Sequence, residues 1–203
     1  MSNRPGLRPG GSTCNYTGDL LIFCIYGKKV LLLCRQERGK GKVENKVTEF
    51  FKQKGFDLEA VFTGEDTSTV AKAAAVLGVE DGMIAKSLAF RLKDGTPIVL
   101  VVCGTGRIDN HKFKEQFHCK ASMLSFEDTL AVTGHPVGGV CPFALPDGVG
   151  VYLDKSLKKY EVVYPAAGTQ DSAVRVEVAR FEEYTGGTWV DVCKEEAPAA
   201  PAE

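Results

Sequence analysis

The chain has 203 residues, a formal net charge of −1 and a sequence pI near 6.3, with 44% apolar and 25% charged residues. That length and apolar share support one domain with a sizeable core. The near-neutral charge excludes a strongly basic, non-specific binder of DNA or RNA, though not a local basic patch. Seven cysteines, odd in number and without a Cys-x-x-Cys pair, are what reduced thiols in a cytoplasmic protein look like.

Residues 1–11 are rich in Gly, Pro and Arg and are expected to be disordered. Two apolar runs follow, Leu20–Tyr26 and Val30–Cys34, around Gly27-Lys28-Lys29. Each is far short of the roughly twenty residues that span a bilayer, so no membrane partner is expected. Together they predict a hairpin with Gly27 in the turn. The basic stretch Arg35–Lys42 closes this N-terminal extension, residues 1–42. A main domain is expected over residues 43–193. Val47, Phe50, Phe51 and Lys54 lie at helical spacing, and Gly55 supplies a stop. Leu58–Phe62 is a predicted short strand. Glu65-Asp66-Thr67-Ser68 offers N-cap side chains for an Ala-rich helix over Val70–Leu77, ended by Gly78.

Met83–Leu92 and Thr96–Cys103 are predicted strands, with Asp94-Gly95 as a hairpin signal between them. Ile98–Val102 is continuously apolar, which predicts burial on both faces. Lys86 stands inside the first strand, either snorkelling to an edge or serving as the charged group of a pocket. Gly104-Thr105-Gly106 then precedes Asp109-Asn110, a cap for a helix over His111–Phe117. A strand, a glycine turn and a helix start can cradle phosphate. The third glycine of a dinucleotide fingerprint is missing, however, so an ordinary turn is predicted and no cofactor.

Ser125, Glu127 and Asp128 open a short helix within Ala121–Val132. It leads into Thr133–Pro146, where three glycines and three prolines punctuate an otherwise apolar stretch. Prolines remove amide donors and glycines permit close backbone approach, so a stiff loop that presents backbone groups is expected. Gly150–Asp154, Glu161–Tyr164 and Ala173–Val178 are predicted strands. In the last, Val174, Val176 and Val178 alternate with Arg175 and Glu177. A helical turn is expected over Leu157–Tyr160, and a second small-residue loop over Pro165–Ser172. Phe181–Tyr184 is a predicted helix stopped by Gly186-Gly187, and Thr188–Val192 a further strand. Residues 194–203 form a Pro/Ala/Glu tail expected to be disordered.

No Gly-x-Ser-x-Gly elbow, His-Glu-x-x-His or P-loop occurs. Cys141 has His135 six residues before it, but a nucleophilic thiol also needs a lowered pKa, and a passive buried thiol is the expectation. Cys103, His111, His118 and Cys119 match no zinc spacing, so no metal is expected. The remaining candidates are a strand lysine, two small-residue loops and a glycine-rich strand end. They suit a reaction in which the protein positions substrate and water while backbone donors stabilise charge on a carbonyl oxygen.

Three segments occur in order: Ile84-Ala85-Lys86-Ser87-Leu88, Gly106-Arg107-Ile108-Asp109, and Thr133-Gly134-His135-Pro136-Val137-Gly138-Gly139-Val140-Cys141-Pro142-Phe143. This combination closely resembles the YbaK/EbsC family, which includes the editing domain inserted in bacterial prolyl-tRNA synthetases and free-standing trans-editing proteins. The resemblance covers about Val43 to Cys193. It implies an α+β fold with a mixed, partly barrel-like sheet flanked by helices. It also implies hydrolysis of the ester that joins a wrong amino acid to the tRNA 3′ end. The implied partners are mischarged aminoacyl-tRNA and an aminoacyl-tRNA synthetase.

By the same resemblance Lys86 and Gly134 are the implied catalytic positions, with Lys86 holding the terminal nucleotide or its phosphate rather than attacking. Ser68, Thr69, Ser87, Asp109, His135, Gly138, Gly139, Val140, Pro142, Gly168 and Asp171 are the implied substrate-binding positions. One departure stands out. The family's cysteinyl-tRNA deacylases tend to have a Ser-Gly-Gly-Lys-Arg-Gly-like second loop followed by Asp. Here the loop is Ala166-Ala167-Gly168-Thr169-Gln170-Asp171, and Ala173 takes the place of that Asp. This favours another branch of the family.

Overall fold

A computed structural model describes residues 25–26, 29–30 and 45–194. The chain divides into two units, Met1–Gly39 and Lys40–Glu203. In the first, β1 (Ile25–Tyr26) pairs antiparallel with β2 (Lys29–Val30), Ile25 opposite Val30. The remainder of the expected hairpin and its basic linker lies outside the described residues, as does the tail beyond residue 194.

The second unit opens with α1 (Lys46–Lys54). Asn45 Oδ1 accepts from Val47 N and Thr48 N, and Thr48 Oγ1 accepts from Asn45 N in return. This reciprocal cap satisfies donors that a helix start leaves open. Then follow β3 (Ala60–Phe62), α2 (Val70–Leu77), β4 (Ile84–Arg91), β5 (Pro97–Cys103), α3 (Asn110–Phe117) and α4 (Phe126–Thr133). The chain continues through β6 (Gly150–Asp154), a 3₁₀ turn over Lys155–Lys159, β7 (Val162–Pro165), β8 (Ser172–Val174), β9 (Val176–Glu177), α5 (Phe181–Thr185) and β10 (Thr188–Val190). One predicted cap is corrected: α2 is capped by Thr69, while Asp66 accepts from Ser68 N and from Lys72 Nζ.

Six strands form a mixed sheet in the order β10-β6-β5-β4-β7-β9. The β4–β5 hairpin is antiparallel with Lys86 opposite Val102, and β6 lies parallel to β5 because α3 and α4 carry the chain across. β3 and β8 pair antiparallel as a second, two-stranded sheet. The sheet curls into a half-barrel with helices around it, an α+β fold.

The strand expected over Ala173–Val178 is two strands. β8 takes β3 as partner, β9 takes β7, and the chain breaks at Arg175 between them. The alternation survives the break: Val174, Val176 and Val178 are buried, and Arg175 and Glu177 are exposed. β10 also ends two residues short of the strand expected there, at Val190. Val192 instead donates to Asp154 Oδ2 at 2.7 Å and accepts from Asp109 N at 2.8 Å.

Both faces of β5 are covered, as its unbroken apolar run requires. On one face Val99, Val101 and Cys103 pack with Val47, Phe51, Phe143, Leu153 and Phe181. On the other, Ile98, Leu100 and Val102 pack with Phe90, Phe113, Val190 and Val192. Ile98 through Cys103 are at most 1% exposed. Each such large side chain contributes on the order of 1.5–3 kcal/mol to folding.

Candidate active site

Lys86 lies in β4 on the face shared with Leu88 and Phe90, since side chains alternate along a strand. Its stem is half-buried. Its Nζ donates to Gly104 O at 3.0 Å and to Gly106 O at 2.5 Å, both in the turn that follows β5. The lysine therefore neither snorkels freely nor sits in an apolar hole. It is tethered by two backbone carbonyls, leaving one N–H for a ligand. Desolvation holds its pKa below the ordinary lysine value, with Arg107 adding repulsion.

The turn that holds Lys86 packs against the start of α2. A Cβ on Gly104 would stand 1.9 Å from Asp81 O and 2.8 Å from Val70 Cγ1. Two residues before Val70, Ser68 meets the first glycine loop: a Cβ on Gly138, at φ +87°, would stand 2.7 Å from Ser68 Cβ. The segment Ser68–Val70 thus lies between the lysine turn and the glycine loop. The second loop is locked to the same assembly. Gln170 Nε2 donates to Val137 O at 2.6 Å, and Thr67 N and Oγ1 both donate to Gln170 O. Gly139 lies so close to Thr169 that a Cβ would fall 2.7 Å from its carbonyl carbon. Side chains are absent at these crossings because backbones meet there.

Between the loops and α1 is a cleft of about 100 Å³ lined by Asn45, Lys46, Val47, Gly134, His135 and Gly168. Gly134, at φ +72°, ends α4, and a Cβ there would come 3.6 Å from Lys46 Nζ. Of the residues singled out from sequence, Gly134, His135 and Gly168 share this cleft, Gly138 and Gly139 form its loop crossings, and Ser68 stands beside Gly138. Thr69 Oγ1 caps α2. Ser87 points to the opposite face of β4 from Lys86, and its Oγ is buried without a partner among the described residues. Asp109 caps α3 by accepting from His111 N and Lys112 N, which keeps its carboxyl below its usual range. Asp171 accepts from Thr169 Oγ1 at 2.6 Å. Val140 and Pro142 are buried, Val140 within the core.

Asn45 and Lys46 were not singled out, although Asn45 Nδ2 donates to Ala167 O at 2.7 Å and ties α1 to the second loop. The readable signal was the Asn-x-x-Thr cap at residues 45–48. Gln170 was missed because nothing local marks a side chain that reaches a loop 33 residues away.

His135 does approach Cys141, with Nε2 3.6 Å from Sγ, but the pair is not a nucleophile and base. Nε2 also lies 3.0 Å from Phe143 O, and Cys141 Sγ donates to the same carbonyl. Burial pushes the Cys141 thiol up to about 12 and lowers the His135 pKa, so both groups are neutral. Cys141→Ala is expected to cost about 1–2 kcal/mol of stability. Native protein should leave Cys141 unmodified by iodoacetamide, as peptide mapping would show. Rapid native alkylation would contradict this.

Residues 64–184 match the family model described as an aminoacyl-tRNA editing domain, and the chain belongs to that family. Its relatives include YwhH of Bacillus subtilis, an uncharacterized protein 40% identical over 153 residues, which span 75% of this chain and 89% of YwhH. EbsC of Enterococcus faecalis, named as a candidate Cys-tRNA(Pro)/Cys-tRNA(Cys) deacylase, is 26% identical over 133 residues, 65% of this chain and 81% of EbsC. The crystal structure of a candidate trans-editing enzyme for prolyl-tRNA synthetase superposes with a TM-score of 0.68 at 28% identity, covering 74% of this chain and 96% of that one. No helix among the described residues is long and apolar enough to cross a membrane.

Proposed function

We propose that the protein is a trans-acting aminoacyl-tRNA deacylase that removes a wrong small amino acid from the 3′ end of mischarged prolyl-tRNA. The observation that carries this reading is the tethered amine of Lys86, fixed by Gly104 O and Gly106 O in a turn that Ser68–Val70 links to two interlocked glycine loops. A compact ammonium with one donor to spare suits a terminal phosphate. Backbone N–H groups of the Gly134–Pro142 loop face the aminoacyl carbonyl and stabilise the oxyanion as water adds. The ribose oxygen then leaves with a proton, giving free amino acid and intact tRNA. No side chain serves as nucleophile. The attacking water is activated by its position and by a neighbouring ribose hydroxyl.

Among the described residues no carboxylate lines the cleft, which also supports a second reading, a catalytically silent module that binds the tRNA end. His135 is buried and neutral, and the Asp109 and Asp171 carboxylates each accept an internal hydrogen bond. A deacylation panel separates the two. Prolyl-tRNA charged with Ala or Cys, and tRNAs charged with Ser and Thr, are incubated with wild type and with Lys86→Ala. Lysine-dependent release from one member is the expected result. No release from any member, with a synthetase added, would leave the binding module.

A further inference from the structure

A second surface lies toward the other end of β4. Arg91, Lys93, Lys114 and Lys120, with Leu92, Cys119 and Ser122, line an open groove of about 420 Å³. Four cations and no carboxylate face it, in a chain whose net charge is −1. All four cationic residues are exposed, and among the described residues none is ion-paired. The acids nearest in sequence are turned elsewhere: Asp94 accepts from Thr96 N at 2.9 Å, and Glu115 lies 3.5 Å from His111. The frame beneath is rigid. Arg91 N donates to Ser122 O, Leu124 N donates to Ala89 O, and Phe113 packs on Phe90 and Phe117. Just past Ser122, Met123 is 63% exposed and Phe126 is 77% exposed. Unpaired cations with an exposed aromatic beside them form a surface for a phosphodiester chain with an unstacked base.

Resting on the deacylase reading above, we propose that this groove holds the phosphate backbone of the tRNA acceptor end whose terminal phosphate lies at Lys86. Arg91 is five residues along the same strand, roughly 17 Å away at about 3.3 Å per residue. A few nucleotides span that distance. The groove supplies affinity that the small cleft at Gly134 lacks, and it reads backbone rather than base sequence.

The test uses the full chain and uncharged tRNA, with binding followed by fluorescence anisotropy across a salt series. The variants are the triple Lys93→Gln/Lys114→Gln/Lys120→Gln and the corresponding Glu triple. Removal of three phosphate contacts is expected to flatten the slope of log Kd against log salt by about 2–3. The Glu triple should weaken binding by more than about tenfold at low salt. Hydrolysis of the aminoacylated 3′-terminal nucleotide alone, too short to reach the groove, should match wild type. Unchanged slope and affinity in the Gln triple would overturn the proposal, as would equal loss on the aminoacylated terminal nucleotide. So would wild-type tRNA binding with loss of a synthetase complex, which would make the groove a protein interface. If wild type binds tRNA through these lysines yet cleaves no ester, the groove stands and the deacylase reading falls.

Discussion

Lys86→Ala is expected to lower kcat/KM for deacylation by about 100-fold or more while leaving the fold intact. The amine donates to Gly104 O and Gly106 O, so two of its protons are engaged and the third is left for a ligand. Truncation removes the charge and releases the turn at once. The freed carbonyls lie beside a half-buried position that water reaches, so the loss of stability should stay near 1 kcal/mol. Lys86→Arg should restore little, because a planar fork cannot sit as a point charge between two carbonyls. Desolvation favours the neutral amine, so the charged form is lost as pH rises through its lowered pKa. Lysine-dependent affinity for the tRNA 3′ end should therefore decline on the alkaline side before exposed lysines titrate. Steady-state rates, thermal melts and end-binding at stepped pH measure the three effects. Full activity in Lys86→Ala would remove the lysine from the reaction.

Gly139→Ala should damage stability and activity together. Its Cβ would fall 2.7 Å from Thr169 C and 2.9 Å from Thr169 Cα and N. These are backbone atoms of a loop that Gln170 and Thr67 already pin, so no side chain can swing aside. The loops must part, at a cost of about 2–3 kcal/mol, and the cleft that the proposed function gives to the aminoacyl group opens with them. Gly148→Ala is the control. At φ +88° it is strained, yet nothing lies within 4 Å of the added carbon. It should cost about 1–2 kcal/mol and leave deacylation unchanged. Denaturant midpoints and rates for both variants test the distinction. Equal effects would show that the loop crossing is not what Gly139 protects.

Much of the fold was legible in the sequence, for local reasons. Gly55, Gly78 and Gly186 mark helix ends where they were expected, and Asp94-Gly95 makes the hairpin it signals. The unbroken run Ile98–Val102 is covered on both faces. What failed needed partners distant in sequence. The break at Arg175 exists because β8 and β9 serve different strands, and nothing in an alternating Val pattern announces that. The alternatives for Lys86 could not be decided without Gly104 and Gly106, eighteen and twenty residues away. The family resemblance located the lysine and the loops. The passive buried thiol expected at Cys141 is what the structure has, whereas nothing in the sequence announced that Asn45 and Lys46 complete the cleft.

Asn45, the first described residue of the second unit, hydrogen-bonds the second loop through Ala167 O, and Lys194, its last, donates from N to Arg107 O beside the lysine turn. Both attachment points of this body therefore adjoin its working loops. The Asn45 amide thus couples the edge of the folded body to a loop 122 residues away in sequence, and its loss would loosen that loop without touching the core.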